Sequence, residues 1–254
     1  MQQYNLAYRL TPMVKRLVIA NLAIWVVGIM ILQRFLLPNN VIFEYFALNP
    51  ARFGLDFMLW QPVTYMFLHS PSNVFHVVFN MLILFFFGME LEQRWGSKFF
   101  LAYYMVCGVG AGLIYTICLW VYALLGGDQG LLLTNVVGAS GAVFGLLLAY
   151  GMVFGERVVY FMMMFPMKAK YFVMIIGGIE LLTVLGSGVH GPVANLAHLG
   201  GLVSGFLFLV VYGKMAAKRR AGRSKKGRRG RNLKLVVNNE RSEESDSDGP
   251  RYWN

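Results

Sequence analysis

Apolar and polar residues do not alternate along this chain; they come in blocks. Apolar runs lie at about residues 17–37, 73–89, 99–125, 140–154, 171–185 and 193–212. Most are long enough to cross some 30 Å of hydrocarbon as a helix, which takes about 20 residues. Short polar punctuation separates them: Glu90, Glu92, Arg94 and Lys98; Gly126-Gly127-Asp128-Gln129-Gly130; Glu156 and Arg157, then Pro166, Lys168 and Lys170; Gly186-Ser187-Gly188. The pattern predicts an all-α polytopic membrane protein, a bundle of six transmembrane helices. The run after Lys15 and Arg16 is too long for the apolar core of a signal peptide, and no A-x-A-like site follows it, so it reads as the first span. Residues 38–72 are too broken by Pro38, Asn39, Asn40, Pro50, Gly54 and Pro62 to cross. They are also too rich in Phe, Tyr and Trp for a free loop, and are expected half-sunk at the bilayer surface. The fourth run is short. It should begin below the surface, with residues 131–139 as irregular backbone shielded by protein. The fifth is preceded by an apolar stretch, 158–165, that the proline and lysines interrupt.

Composition agrees with this and charge refines it. The chain of 254 residues is 57% hydrophobic and 14% charged, wrong for a soluble domain. Its net charge of +11 is concentrated after residue 213, from Lys214 and Lys218 to Arg231 and Lys234. That placement speaks for anionic lipid at the inner membrane surface, with RNA or ribosome contact the weaker option, and no nucleic-acid partner is expected. Glu240, Glu243, Glu244, Asp246 and Asp248 follow among serines, a composition expected to be disordered. Three parts result: a short cytoplasmic N-terminus (1–14), a six-span domain (15–213), and a basic then acidic disordered cytoplasmic tail (214–254). Arg9, Lys15, Arg16, Arg94, Lys98, Arg157, Lys168, Lys170 and the tail fall on one side, against Arg34 and Arg52 on the other. The positive-inside rule therefore predicts that both termini are cytoplasmic. Cys107 and Cys118 are eleven residues apart in one run, roughly 16 Å along a helix, too far for a disulfide.

Few polar residues interrupt the spans, and four share a depth. His76 and Asn80 come early in span two, Ser140 opens span four, and His198 comes early in span six. All lie roughly 5–10 Å below the outer surface at 1.5 Å per residue. Intramembrane polar residues are costly and tend to be functional. A serine hydroxyl needs a base to become a nucleophile, and His198 is the candidate. Ser140 at a helix start has a backbone N–H without an intrahelical partner, at the positive end of the dipole. His76 and Asn80, spaced i, i+4, share a face and can supply further donors to an oxyanion. Gly141 and Gly145 in span four face the same question as Ala197, Gly201 and Gly205 in span six. If these small-residue stripes meet, Ser140 and His198 come together. Gly108 and Gly112 offer span three a similar close approach. Structural readings stand beside these: Ser140 as a simple N-cap, His76 and Asn80 as interhelical hydrogen-bonding groups. Glu180, the carboxylate inside span five near the depth of Ser140, either orients His198, lines a substrate entry, or packs as a hydrogen-bonded acid. His69 and His190 fall in outer loops. No metal site is expected from the four histidines, because no carboxylate or thiolate completes a ligand spacing.

Together these elements resemble the rhomboid family of intramembrane serine proteases. The matching residues are Gly138-x-Ser140-Gly141, Ala197-His198-x-x-Gly201-x-x-x-Gly205 and His76-x-x-x-Asn80, with Glu92-x-Arg94 and Trp60, over about residues 15–213. The resemblance implies a rhomboid-like bundle and a catalytic Ser140–His198 dyad without an aspartate. It also implies an oxyanion and substrate-binding site at His76, Asn80, Gly138 and the Ser140 amide. The implied reaction is hydrolysis of transmembrane segments of other membrane proteins, with no cofactor, in a bacterial inner membrane. Gln61 departs from the arginine common in the family, and Phe144 from the tyrosine that often stacks on the histidine. The rival reading is an inactive relative that binds or chaperones membrane segments. A transporter would need polar residues continuing to the inner leaflet, and the spans carry them only in the outer half.

Overall fold

The computed structural model describes residues 10–161, 164–187 and 193–228. The chain divides into two compact units, Met1–Tyr212 and Gly213–Asn254. In the first, helix α1 (Pro12–Ala23) passes directly into a π-helical stretch, Ile24–Leu36. Three short helices follow, α2 (Val41–Phe46), α3 (Pro50–Leu55) and α4 (Gln61–Thr64), the last continued by a 3-10 turn, Tyr65–Phe67. Long helices α5 (Val74–Trp95) and α6 (Ser97–Leu124) come next. A 3-10 turn, Gln129–Leu133, leads to α7 (Ser140–Val153). Strands β1 (Val158–Phe161) and β2 (Phe165–Lys168) then precede α8 (Ala169–Ser187) and α9 (Val193–Arg228), whose residues after Tyr212 belong to the second unit. Five helices are long and apolar enough to cross a membrane, and α7 is a shorter apolar helix among the described residues. The protein is an all-α polytopic membrane protein with one small β-ribbon.

Helix α7 is the axis of the bundle, packed by α5, α6 and α8. Gly141, Ala142, Val143, Gly145, Leu146, Leu147, Ala149 and Tyr150 are all buried. A helix apolar on every side belongs in a core, and α7 has no polar face to offer water. Its glycines set how close its neighbours come. A Cβ at Gly201 of α9 would stand 2.0 Å from the Gly141 carbonyl oxygen, and one at Gly145 would stand 2.4 Å from Cys107 Sγ of α6. The small-residue stripes of α7 and α9 do meet, as the sequence suggested. Tyr103 of α6 adds a cross-link, its hydroxyl donating to the Gly145 carbonyl at 2.8 Å.

Several expectations are corrected. Helix α1 begins at Pro12, not near residue 17, because Thr11 precedes a proline at the first helical position. The free N–H groups of Met13 and Val14 also find Glu92 Oε1 and Oε2 at 2.9 and 2.8 Å. Glu90, Glu92 and Arg94 are therefore no turn: α5 continues through them to Trp95, and Glu92 is buried. The segment 38–72 is more than a surface loop. Ala47, Leu48, Tyr65 and Met66 are in the core. Met66 and Tyr65 fill the space beside Gly108 and Gly112, so those glycines admit loop side chains, not a helix. Gly110 and Ala111 receive α9 instead, at Ser204 and Gly200. In the interrupted stretch, residues 158–161 form a strand that pairs antiparallel with residues 165–168, Val158 with Lys168 and Phe161 with Phe165. In the second unit, helix α9 continues to Arg228, although residues 214–228 were expected to be disordered. Ala, Lys and Arg are good helix formers, and basic residues suit a helix C-terminus. Residues 229–254, and His190, lie outside the described residues.

Candidate active site

Ser140 is the first residue of α7, and its N-cap, Ala139, provides no side-chain hydrogen bond. The first N–H groups of α7 are thus free of both intrahelical and side-chain cap partners. The approach to this helix start is held by the loop that precedes α5. Leu48 and Val136 exchange backbone hydrogen bonds at 3.0 and 2.8 Å, and Gly138 N–H donates to the Tyr65 carbonyl at 2.9 Å. Asn49 Nδ2 reaches Leu133 O and Asn135 Oδ1, both at 2.9 Å. Gln61, buried, accepts from the Asn49 N–H at 3.0 Å, so the glutamine anchors this loop in its own way. The stretch before Ser140 is accordingly tied down, with Val136, Gly138 and Ala139 buried; Leu133 and Asn135 are exposed, and residues 131–133, expected to be irregular, belong to the 3-10 turn.

Ser140, His198, His76 and Asn80 line one cavity of about 370 Å³, with Phe75, Phe79 and Phe144 among its walls. The shared depth read from the sequence is a shared pocket. Gly138 shows how tightly the groups converge. Its φ is +125°, and a Cβ there would lie 2.7 Å from His76 Nε2 and 3.7 Å from Ser140 Oγ. Only glycine suits that backbone and that space. The Ser70 N–H approaches His76 Nδ1 at 3.5 Å. With Nδ1 as the acceptor, a neutral His76 carries its proton on Nε2, the atom beside Gly138. Asn80 Nδ2 donates to the His76 carbonyl at 2.6 Å, which leaves its second amide hydrogen available. His69 packs against His76 with ring centroids 5.2 Å apart. Burial, with His76 beside it, pushes His69 down to about 4, so it adds no charge to the pocket at neutral pH.

His198 is held on two sides. Phe144 stacks on its ring, centroids 4.1 Å apart and planes 10° from parallel. Nδ1 lies 3.1 Å from Glu180 Oε1 of α8. Nε2 is left for the cavity. No hydrogen bond joins Ser140 Oγ to His198 among the described residues. The would-be Cβ of Gly141 lies 3.6 Å from the Ala197 carbonyl oxygen, so the neighbours of Ser140 and His198 already touch. The arrangement can activate a hydroxyl and offer donors to an oxyanion. Spacing alone did not reveal Tyr65 and Ser70, whose backbone groups fix Gly138 and His76. Glu180 drew notice as an intramembrane carboxylate, but its partner emerges only from the packing of α8 beside α9.

Comparison with known proteins gives this arrangement a lineage. The family model described as Rhomboid domain matches residues 56–215. The chain belongs to the rhomboid family. It is 34% identical over 155 residues to RHOMBOID-like protein 1 of Arabidopsis thaliana, covering 61% of this chain and 34% of that protein. It is 30% identical over 175 residues to Rhomboid protease AarA of Providencia stuartii, covering 66% and 60%. Rhomboid-like protease 3 of Toxoplasma gondii matches at 30% over 159 residues, covering 63% and 54%. The match thus spans between about a third and three fifths of these rhomboid relatives.

Proposed function

We propose that this rhomboid is an intramembrane serine endopeptidase that cuts transmembrane segments of other membrane proteins. The observation that carries the reading is the single cavity lined by Ser140, His198, His76 and Asn80 at an uncapped helix start. Ser140 Oγ attacks the scissile carbonyl carbon and gives its proton to His198 Nε2. The oxyanion meets the Ser140 N–H, His76 Nε2–H and Asn80. Nε2 returns the proton to the leaving amine as the C–N bond breaks. Water then repeats the sequence to release the acyl group. A small residue before the cut is the expected preference, by family likeness.

The same reading sets the protein in a bacterial inner membrane with both termini cytoplasmic and the site toward the outer face. In it α7 makes the fourth of six crossings, a short helix whose crossing is completed by the residues just before it, 131–139. The basic block 214–234 lies on anionic lipid. Tail-dependent association with anionic vesicles that ignores salt removes that last element.

Fluorophosphonate labelling in detergent tests the enzyme. Wild type should label, and Ser140→Ala and His198→Ala should not. A folded wild type that stays unlabelled while an active rhomboid reacts alongside overturns the reading in favour of a membrane-segment binding module.

A further inference from the structure

Glu180 has no role in a two-residue mechanism, yet its surroundings are unusual. It sits in the middle of α8, a helix otherwise without a carboxylate. Its side chain is 13% exposed and that of His198 16%. Oε1 is 3.1 Å from His198 Nδ1, while Oε2 is buried without a hydrogen-bond partner among the described residues. A carboxyl group in an apolar helix is costly, and a half-satisfied one more so. Packing alone would be served by leucine at no such cost. The carboxyl meets the one ring nitrogen of His198 that faces away from chemistry, and Phe144 closes off rotation by stacking on the ring face.

We propose that Glu180 is the positioning residue of His198, giving this rhomboid a Ser140–His198–Glu180 relay of contacts. The inference rests on the hydrolase reading above. Glu180 accepts Nδ1–H, which holds the neutral ring in the tautomer whose lone pair is on Nε2. When Nε2 takes the Ser140 proton, the imidazolium keeps its Nδ1–H on Glu180, and the opposite charge beside it stabilises that state. The proton leaves through Nε2 to the departing amine, so Glu180 itself neither gains nor loses one. The titratable groups recorded against His198 among the described residues are Glu180 from α8 and His76 from α5. His76 cannot substitute for the carboxylate, since it adds no negative charge.

The experiment measures the second-order rate constant of fluorophosphonate labelling against pH, with thermal unfolding alongside, for wild type, Glu180→Gln, Glu180→Asp and Ser140→Ala. Glu180→Gln keeps shape and loses charge. Its rate constant should fall by about 10²- to 10⁴-fold. The midpoint of its labelling pH profile should also differ from that of wild type, because the charge beside the base is gone. Glu180→Asp should recover a part of the loss. A purely structural role would lower the fraction of protein that labels and leave the rate constant and midpoint of the remainder alone. Glu180→Gln within about twofold of wild type with the same midpoint overturns the inference while leaving the hydrolase reading intact. If Glu180→Gln does not fold, Glu180→Asp decides: a folded variant at the wild-type rate constant and midpoint overturns it equally. Wild type that labels no faster than Ser140→Ala overturns the hydrolase reading and this inference with it.

Discussion

The two ends of α5 use polar residues in opposite ways. His76 and Glu92 are sixteen residues apart on that helix, roughly 24 Å at 1.5 Å per residue. At the Glu92 end, every group named here has a partner. Glu92 accepts from Met13, Val14 and Ser97. Glu90 accepts from Tyr150 and Arg157, and Glu156 pairs with Lys168 and Lys170. At the His76 end, valences are left open. The start of α7 has no side-chain cap, and Glu180 Oε2 meets no donor among the described residues. Saturated polar groups hold helices together. Groups left unsaturated cost stability and are poised to meet something that is not yet there. The same helix therefore fastens the bundle at one end and furnishes the site at the other.

The sharpest way to break this contrast is at the α7–α9 contact, which both ends depend on. Gly201→Val should cost about 1–3 kcal/mol by overpacking and reduce labelling by more than tenfold, since the Gly141 carbonyl must move. Gly178→Ala, a position with open space around it, should lose nothing. Equal behaviour of the two in thermal unfolding would show that close approach at Gly201 is not what joins the helices. At the fastening end the effect is expected on stability alone. Glu92→Gln keeps one acceptor and turns an N–H donor toward a helix N-terminus, so stability should drop by about 1–3 kcal/mol. The folded fraction should still label at the wild-type rate. A slowed rate there would mean that the two ends are coupled.

The smallest effect belongs to Glu156, which is exposed. Lys168 and Lys170 hold its carboxyl down at about 2, from 4.5. A lowered value in the folded state means that the stabilisation is complete above the unfolded value and disappears as pH falls toward 2. Thermal midpoints of wild type and Glu156→Gln should differ slightly at pH 7 and converge as pH falls from 4.5 toward about 2. A gap that persists in acid would assign the effect to packing of the hairpin instead.

Much of this was legible in the residues themselves. Apolar blocks fix membrane helices because no other open structure satisfies the backbone in lipid, and the five long helices lie where those blocks do. Ser140, His198, His76 and Asn80 could be singled out because a polar group is conspicuous in an apolar run. Phe144 could be matched to His198 by likeness of family alone. Where the reading went astray, the cause was tertiary. Glu92 looks like a turn residue until the N-terminus of α1 is found against it, and Gly108 looks like a helix contact until Met66 fills it.

What the sequence determined by itself is therefore the set of spans and the short list of polar groups within them, since both follow from the price of polarity in hydrocarbon. What only the tertiary structure decided is which of those groups meet. Glu180 lies eighteen residues before His198, across the segment between α8 and α9, and nothing in that interval says that Oε1 will stop 3.1 Å from Nδ1. That distance depends on how the helices pack, and packing is set by close contacts among residues far apart in the chain.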